Sequence, residues 1–167
     1  MSMNVPKVPL DDTDRALLRL VQQDATLSTP QLAERVSLSV TPCWRRLKRL
    51  EADGFIAGYH AVLDRRKLGL NVLAFVQLRF IVATDASARH FEETMLARAE
   101  VLSCHKITGE ADYVLQVVAG DLDTYSDFVE KVLRAVPGIG SIHSSLAMRE
   151  IKSANRVPVP DLSLIHI

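Results

Sequence analysis

The chain has 167 residues, 48% hydrophobic and 5% aromatic, and its 20 basic and 20 acidic residues cancel to a formal net charge of zero. That length holds one large domain or two small ones, and the neutral balance excludes nucleic-acid binding through bulk charge, leaving only a local cationic patch. The apolar runs are too short to cross a bilayer, no charged-then-apolar leader opens the chain, and Cys43 and Cys104 suit a reducing compartment better than a disulfide framework, so a cytoplasmic protein without a membrane partner is expected.

Residues 1–10, with Pro6 and Pro9, read as a flexible arm. Asp11 or Asp12 then caps a helix carrying Leu17, Leu20 and Val21, with Asp12 and Asp14 suiting its positive end. Ser28 and Gln31 have capping-box spacing ahead of Leu32, Ala33 and Val36, which predicts a second, short helix with Pro30 in its first turn. After a tight connection at Ser37-Leu38-Ser39, a third helix places Val40, Cys43, Leu47 and Leu50 in one apolar stripe. Thr41, Arg45, Lys48 and Arg49 gather opposite that stripe, and Trp44 lies on a flank. Ser39 or Thr41 caps this helix, and Pro42 is tolerated because first-turn amides have no partner within the helix.

Helix, short helix, brief turn and cationic helix is the helix-turn-helix order, in which the last helix enters the major groove of double-stranded DNA. Arg and Lys reach phosphates or guanine edges there, and Thr contacts phosphate or a thymine methyl. Three short helices sharing one stripe also describe a structural bundle; the cationic front on the third alone favours DNA. Arg46 projects nearer the stripe, where an ion pair with a neighbouring helix and a DNA contact are equally open. Cys43, within the stripe, reads as packing.

Gly54 ends the third helix, and residues 55–63 read as a strand. Arg65, Arg66 and Lys67 follow in a turn-like connection, either a solvated linker or a set of phosphate contacts. Ala74, Val76, Leu78, Phe80 and Val82 then alternate along one face of a strand. A helix over 87–99 with Phe91, Met95 and Ala99, a strand over 101–108, a turn at Gly109-Glu110-Ala111 and a strand over 112–119 come next. Asp121 or Asp123 caps a helix bearing Tyr125, Phe128, Val129, Val132, Leu133 and Val136, and a last strand runs over 139–151. The βαββαβ order is ferredoxin-like: an antiparallel sheet with both helices on one face. Leu73, Phe75 and Ile81 on the other face predict a second subunit against it.

With both halves in place the chain resembles the Lrp/AsnC (feast/famine) transcriptional regulators. The resemblance is carried by Leu10-Asp11-Asp12-Thr13-Asp14, Leu32-Ala33-Glu34-Arg35-Val36, Ser39-Val40-Thr41-Pro42-Cys43, Arg46-Leu47-Lys48-Arg49-Leu50-Glu51 and Gly54-Phe55-Ile56. In the second half it is carried by Thr108-Gly109-Glu110-Ala111-Asp112-Tyr113, Val136-Pro137-Gly138-Ile139 and Met148-Arg149-Glu150-Ile151-Lys152. It implies an α+β protein: a winged helix-turn-helix over 11–63, a linker over 64–70, a ferredoxin-like effector-binding and oligomerisation domain over 71–152, and a tail over 153–167. It also implies homodimers assembling into octamers or similar discs, and a small amino acid as effector. Thr41-Pro42-Cys43-Trp44 and Ser144-Ser145-Leu146-Ala147-Met148 look most like the branch that detects cysteine and activates a cysteine desulfidase.

The DNA-contacting residues expected are Thr41, Pro42, Trp44, Arg45, Lys48 and Arg49, with Arg45 and Lys48 foremost. An amino-acid ligand needs donors for its carboxylate and acceptors for its ammonium. The turn from Thr108 to Tyr113 offers free amides at Gly109 and the carboxylates of Glu110 and Asp112, although Gly109 and Asp112 are also ordinary turn residues and Tyr113 also suits a core. The resemblance adds Ser144, Ser145, Ala147 and Met148 as lining. The five histidines lack metal-ligand spacing, and no phosphate loop, paired catalytic carboxylates or nucleophile–base pattern appears, so no metal, cofactor or enzyme activity is expected. The competing expectation is an architectural DNA-binding protein that senses no effector.

Overall fold

The computed structural model describes residues 9–81, 84–152 and 156–160. The chain divides into two compact units, residues 1–62 with 152–167, and residues 63–151.

The first unit is built on three helices: α1 Asp12–Gln23, α2 Thr29–Arg35 and α3 Val40–Ala52. Asp11 caps α1, its side chain accepting from the Asp14 amide at 2.8 Å, while Asp14 accepts from the Asp11 amide at 3.2 Å. At α2 the Gln31 side-chain oxygen accepts from the Ser28 amide at 2.8 Å, the reciprocal half of the expected capping box. Ser39 is the N-cap residue of α3. Leu17, Val21, Leu32, Ala33, Cys43 and Leu50 form the core. Val40 is 48% exposed, so the stripe of α3 begins at Cys43. Burial pushes the Cys43 thiol up, as befits a packing residue.

Ser37, in the turn between α2 and α3, has φ 55°, a left-handed conformation unusual for a residue with a Cβ. The turn is fixed by the Leu38 amide donating to Ala33 O at 2.9 Å. The strand expected over 55–63 is not formed: residues 57–64 have no regular structure. An apolar run makes a strand only where a second strand takes its hydrogen bonds, and the described remainder of this unit is helix and irregular chain.

The tail is partly ordered onto α1. Arg15 Nε donates to Pro160 O at 3.0 Å and Arg19 to Val159 O at 3.1 Å. Gln22 donates to Val157 O at 2.8 Å and accepts from the Val157 amide at 2.9 Å. Positions 15, 19 and 22 share one helix face, so residues 156–160 run along α1 as a strap, and Arg15 is 2% exposed beneath it.

The second unit contains β1 Val72–Phe80, α4 Asp85–Leu96, β2 Val101–Lys106, β3 Tyr113–Ala119, α5 Leu122–Phe128 continuing into a π turn Val129–Leu133, and β4 Ile139–Leu146. The sheet order is β2-β3-β1-β4 with every pair antiparallel, the ferredoxin-like arrangement. Ala74, Val76, Leu78 and Phe80 meet Phe91 and Met95 of α4 and Tyr125, Phe128, Val132 and Leu133 of the last helix in one core. Val82 lies outside the described residues. The helix α4 ends at Leu96, leaving Ala99 exposed beyond it. The apolar spacing of the last helix is ordinary; its π turn shows only in the Arg134 amide donating five residues back to Val129 O at 2.9 Å.

Two expectations about the sheet are corrected. The last strand stops at Leu146: the Ala147 amide still donates to Leu73 O at 2.8 Å, but residues 147–152 have no regular structure. Leu73 is buried within the single chain, beside Val118 across the ladder, so of the three expected residues Phe75 (42% exposed) and Ile81 (79% exposed) stay uncovered.

Candidate nucleic-acid interface and ligand site

Along α3 the front expected to meet DNA is exposed at Thr41, Pro42, Trp44, Arg45 and Lys48. Its basic residues differ in what they already hold. Arg45 has no hydrogen bond or ion pair among the described residues. Lys48 donates to Glu51 at 2.6 Å, and Glu51 also accepts from the Tyr59 hydroxyl at 3.0 Å. That pairing holds the Glu51 carboxyl below its ordinary value, through Lys48 first and Tyr59 second. The Tyr59 hydroxyl is pushed up to about 12, by desolvation and then by Glu51.

Arg46 and Arg49 turn inward. Arg46 pairs with Asp11 and, at 2.9 Å, with Asp14; Arg49 pairs with the other oxygen of Asp14. The two readings of Arg46 therefore resolve to the ion pair. Arg49, read from the sequence as a DNA contact, has its guanidinium committed to Asp14 while more than a third of its side chain stays exposed. Asp14 is the residue the sequence did not single out: an acid in the first turn of α1 reads as a complement to the helix dipole. Its 1% exposure and two guanidinium partners instead make it the anchor that sets α3 against α1.

The expected ligand residues fall in two places. Thr108, Gly109 and Glu110 form an exposed turn between β2 and β3, with Gly109 at φ 119° and open space where a Cβ would stand. Asp112 closes that end of β1: its amide donates to Leu78 O at 2.8 Å and its carboxylate accepts from the Phe80 amide at 2.7 Å. Tyr113 is a core residue, buried against Phe91 at 4.7 Å between ring centres, with its hydroxyl donating to Glu92 at 2.6 Å. Its expected place in the lining is corrected accordingly, since alternation along β3 turns its ring toward the helices.

Ser144 and Ser145 sit across from Val76 and Phe75, so they point to opposite faces of the sheet. Ser144 accepts from the Tyr125 hydroxyl at 2.5 Å on the helix side. Ala147 bonds Leu73, and Met148 is 97% exposed. From Leu73 to Leu78 is five residues of strand, about 17 Å. The turn and the 147–148 segment thus lie at opposite ends of β1 and do not line one slot within a single chain.

A profile described as the Lrp/AsnC ligand binding domain matches residues 73–157, and a winged helix-turn-helix DNA-binding profile matches residues 10–57. The DNA-binding transcriptional activator DecR of Escherichia coli (strain K12) is 41% identical over 150 residues, covering 90% of this chain and 99% of its own. The chain belongs to the Lrp/AsnC family of transcriptional regulators. Another relative, the leucine-responsive regulatory protein of Klebsiella pneumoniae, is 32% identical to this Lrp/AsnC chain over 154 residues, covering 92% of it and 94% of its own length. Among solved structures, a transcriptional regulator from Neisseria meningitidis in complex with L-Met superposes with a TM-score of 0.87 at 36% identity, covering 90% of this chain and 97% of that one. The relatives are regulators rather than enzymes. This Lrp/AsnC protein is a DNA-binding transcriptional regulator with a winged helix-turn-helix and a ligand-binding regulatory domain. No described helix is long and apolar enough to cross a membrane.

Proposed function

We propose that this regulator binds operator DNA through Arg45 and Lys48, aided by Thr41, Pro42 and Trp44, and that a small amino acid changes its assembly and its hold on DNA. Head and body are taken as 11–63 and 71–152, joined by 64–70. The observation that carries the DNA half is the exposed Arg45, without a partner among the described residues, on the outer side of a helix whose other arginines are ion-paired to α1 and its cap. Arg49 contributes through its pairing with Asp14, which fixes the helix, and through the third of its side chain that stays exposed.

For the effector, support comes from the L-Met complex of the Neisseria relative and from the open amides at Gly109 beside Glu110. The separation of the turn from the 147–148 segment favours a ligand held between chains, the turn supplied by one and the last strand's end by another. Homodimers form through the open sheet side bearing Phe75 and Ile81 and assemble further, to octamers or similar discs, in the cytoplasm. Cysteine is the effector favoured by the blocks at 41–44 and 144–148.

Calorimetry with a panel of amino acids including cysteine and methionine tests this. Heat with one of them, weakened in Glu110→Gln, is expected. Asp112→Ala is a poor control, because Asp112 also braces β1. No heat with any amino acid, together with DNA binding indifferent to all of them, would leave a purely architectural protein.

A further inference from the structure

The second unit contains a hollow that the turn from Thr108 to Tyr113 does not touch. Its volume is about 470 Å³, within the range of about 300–1,000 Å³ usual for small-molecule sites. Ala119, Phe128 and Val132, all buried core residues, supply its apolar lining. Arg98 and Glu100, next to β2, and Asp127 and Lys131, on the last helix, supply its charges. We propose that this hollow takes a free amino acid with an apolar side chain, separately from any ligand held at Gly109.

Its place in the sheet sets it apart. The hollow lies where β3 ends, at Ala119 and Gly120, whereas the turn at Gly109 lies where β3 begins. Seven residues of strand separate the two by about 20 Å, farther than one amino acid spans. All of its lining residues come from residues 63–151, so it is built within one unit of one chain. Two of them, Lys131 and Val132, lie in the π turn Val129–Leu133. Turns of this kind are rare inside helices and recur at functional sites.

The charges decide the class of ligand. Arg98 faces Glu100 at 3.8 Å and Lys131 meets Asp127 at 2.6 Å, so each pair brings one cation and one anion. All four side chains are more than a third exposed, and ion pairs so placed hold weakly. They exchange partners at little cost: a ligand carboxylate takes Arg98 or Lys131, and a ligand ammonium takes Glu100 or Asp127. A ligand of one sign would unbalance this neutral set, whereas a zwitterion matches it. The buried lining then gives an apolar side chain a surface on which to leave water. A zwitterion with an apolar side chain is an amino acid.

The test uses the full chain, with L-methionine and L-leucine as probes in calorimetry. They are titrated into the parent, Glu110→Gln, Arg98→Met/Lys131→Met and the variant combining all three substitutions. The methionine side chains keep the apolar stems and remove the charges. In Glu110→Gln, heat with at least one probe is expected to persist, and to weaken about tenfold or more once Arg98 and Lys131 are replaced. Methionine amide and N-acetylmethionine each lack one charge of the zwitterion. Both are expected to bind Glu110→Gln about tenfold or more weakly than L-methionine does. Should Arg98→Met/Lys131→Met elute or melt abnormally, Arg98→Gln/Lys131→Gln takes its place with the same expectation. Binding by Glu110→Gln that is absent with both probes, or indifferent to loss of Arg98 and Lys131, would overturn the proposal. Equal binding of the two blocked derivatives would make the hollow a plain apolar groove and overturn it as well. Heat lost in Arg98→Met/Lys131→Met but untouched in Glu110→Gln would support the hollow and remove the turn at Gly109 as a ligand site.

Discussion

Arg49 on α3 is ion-paired to Asp14 on α1, a carboxylate almost wholly removed from solvent. Arg46 takes the other oxygen, so one buried charge fixes the roll of the recognition helix at two points one turn apart. Which arginines face outward is therefore decided inside the head. Asp14→Asn keeps the shape and removes the charge, leaving one oxygen to accept from one arginine and an amide donor facing the other. It is expected to destabilise the helical unit by about 1–3 kcal/mol, read by chemical denaturation.

Asp11 gives this junction a pH dependence. Burial raises its carboxyl, but the Asp14 amide and the Arg46 guanidinium together outweigh that and hold it below its ordinary 3.8. A group lowered on folding stabilises fully above its unfolded value and ceases to do so as pH falls through the folded one. Glu51, held down from 4.5 by Lys48 and then Tyr59, acts with the same sign. Denaturation of the parent is therefore expected to ease as pH falls below about 4, with a flatter dependence in Asp11→Asn. Equal pH dependence in the two proteins would contradict the assignment.

Ser37 holds a left-handed conformation that costs an L-residue roughly 1 kcal/mol and costs glycine almost nothing. Ser37→Gly is expected to stabilise the head by a fraction of that amount, since glycine also loses more freedom on folding. The melting temperature reads it; a clear fall would show that the serine side chain supports the turn.

Gln22 both gives to and takes from Val157, so it should report on the strap. Replacing it with alanine removes both bonds and, at about 1 kcal/mol each, should speed hydrogen exchange at the Val157 amide by roughly tenfold or more. Exchange unchanged in Gln22→Ala would mean the strap is held by its contacts at Arg15, Arg19 and Arg156 without Gln22.

Much of this molecule is legible in its sequence because the signals are local. The Ser28–Gln31 spacing marks a cap, the Cys43–Leu50 stripe marks a buried face, and the alternation from Ala74 to Phe80 marks a strand whose core-facing residues are buried as expected. What was not legible depends on partners distant in the chain. Residues 55–63 are apolar enough to read as a strand but find no second strand among the described residues of their unit. Nothing local to Arg15 marks it as buried; the strap that covers it comes from residues 156–160. Ser144 and Ser145 read as one lining until the register with Val76 and Phe75 sends them to opposite faces. Tyr113 follows an exposed turn, and only its place opposite Leu78 shows that its ring belongs to the core.

The division between inward and outward arginines on α3 is the claim on which the account stands, and operator binding by Arg45→Ala/Lys48→Ala measures it most directly. The account predicts a protein of unchanged fold and assembly that loses about 1–3 kcal/mol of operator affinity per residue and no longer prefers operator to scrambled DNA. Operator binding and preference equal to the parent's, in a variant that elutes and melts as the parent does, would contradict it.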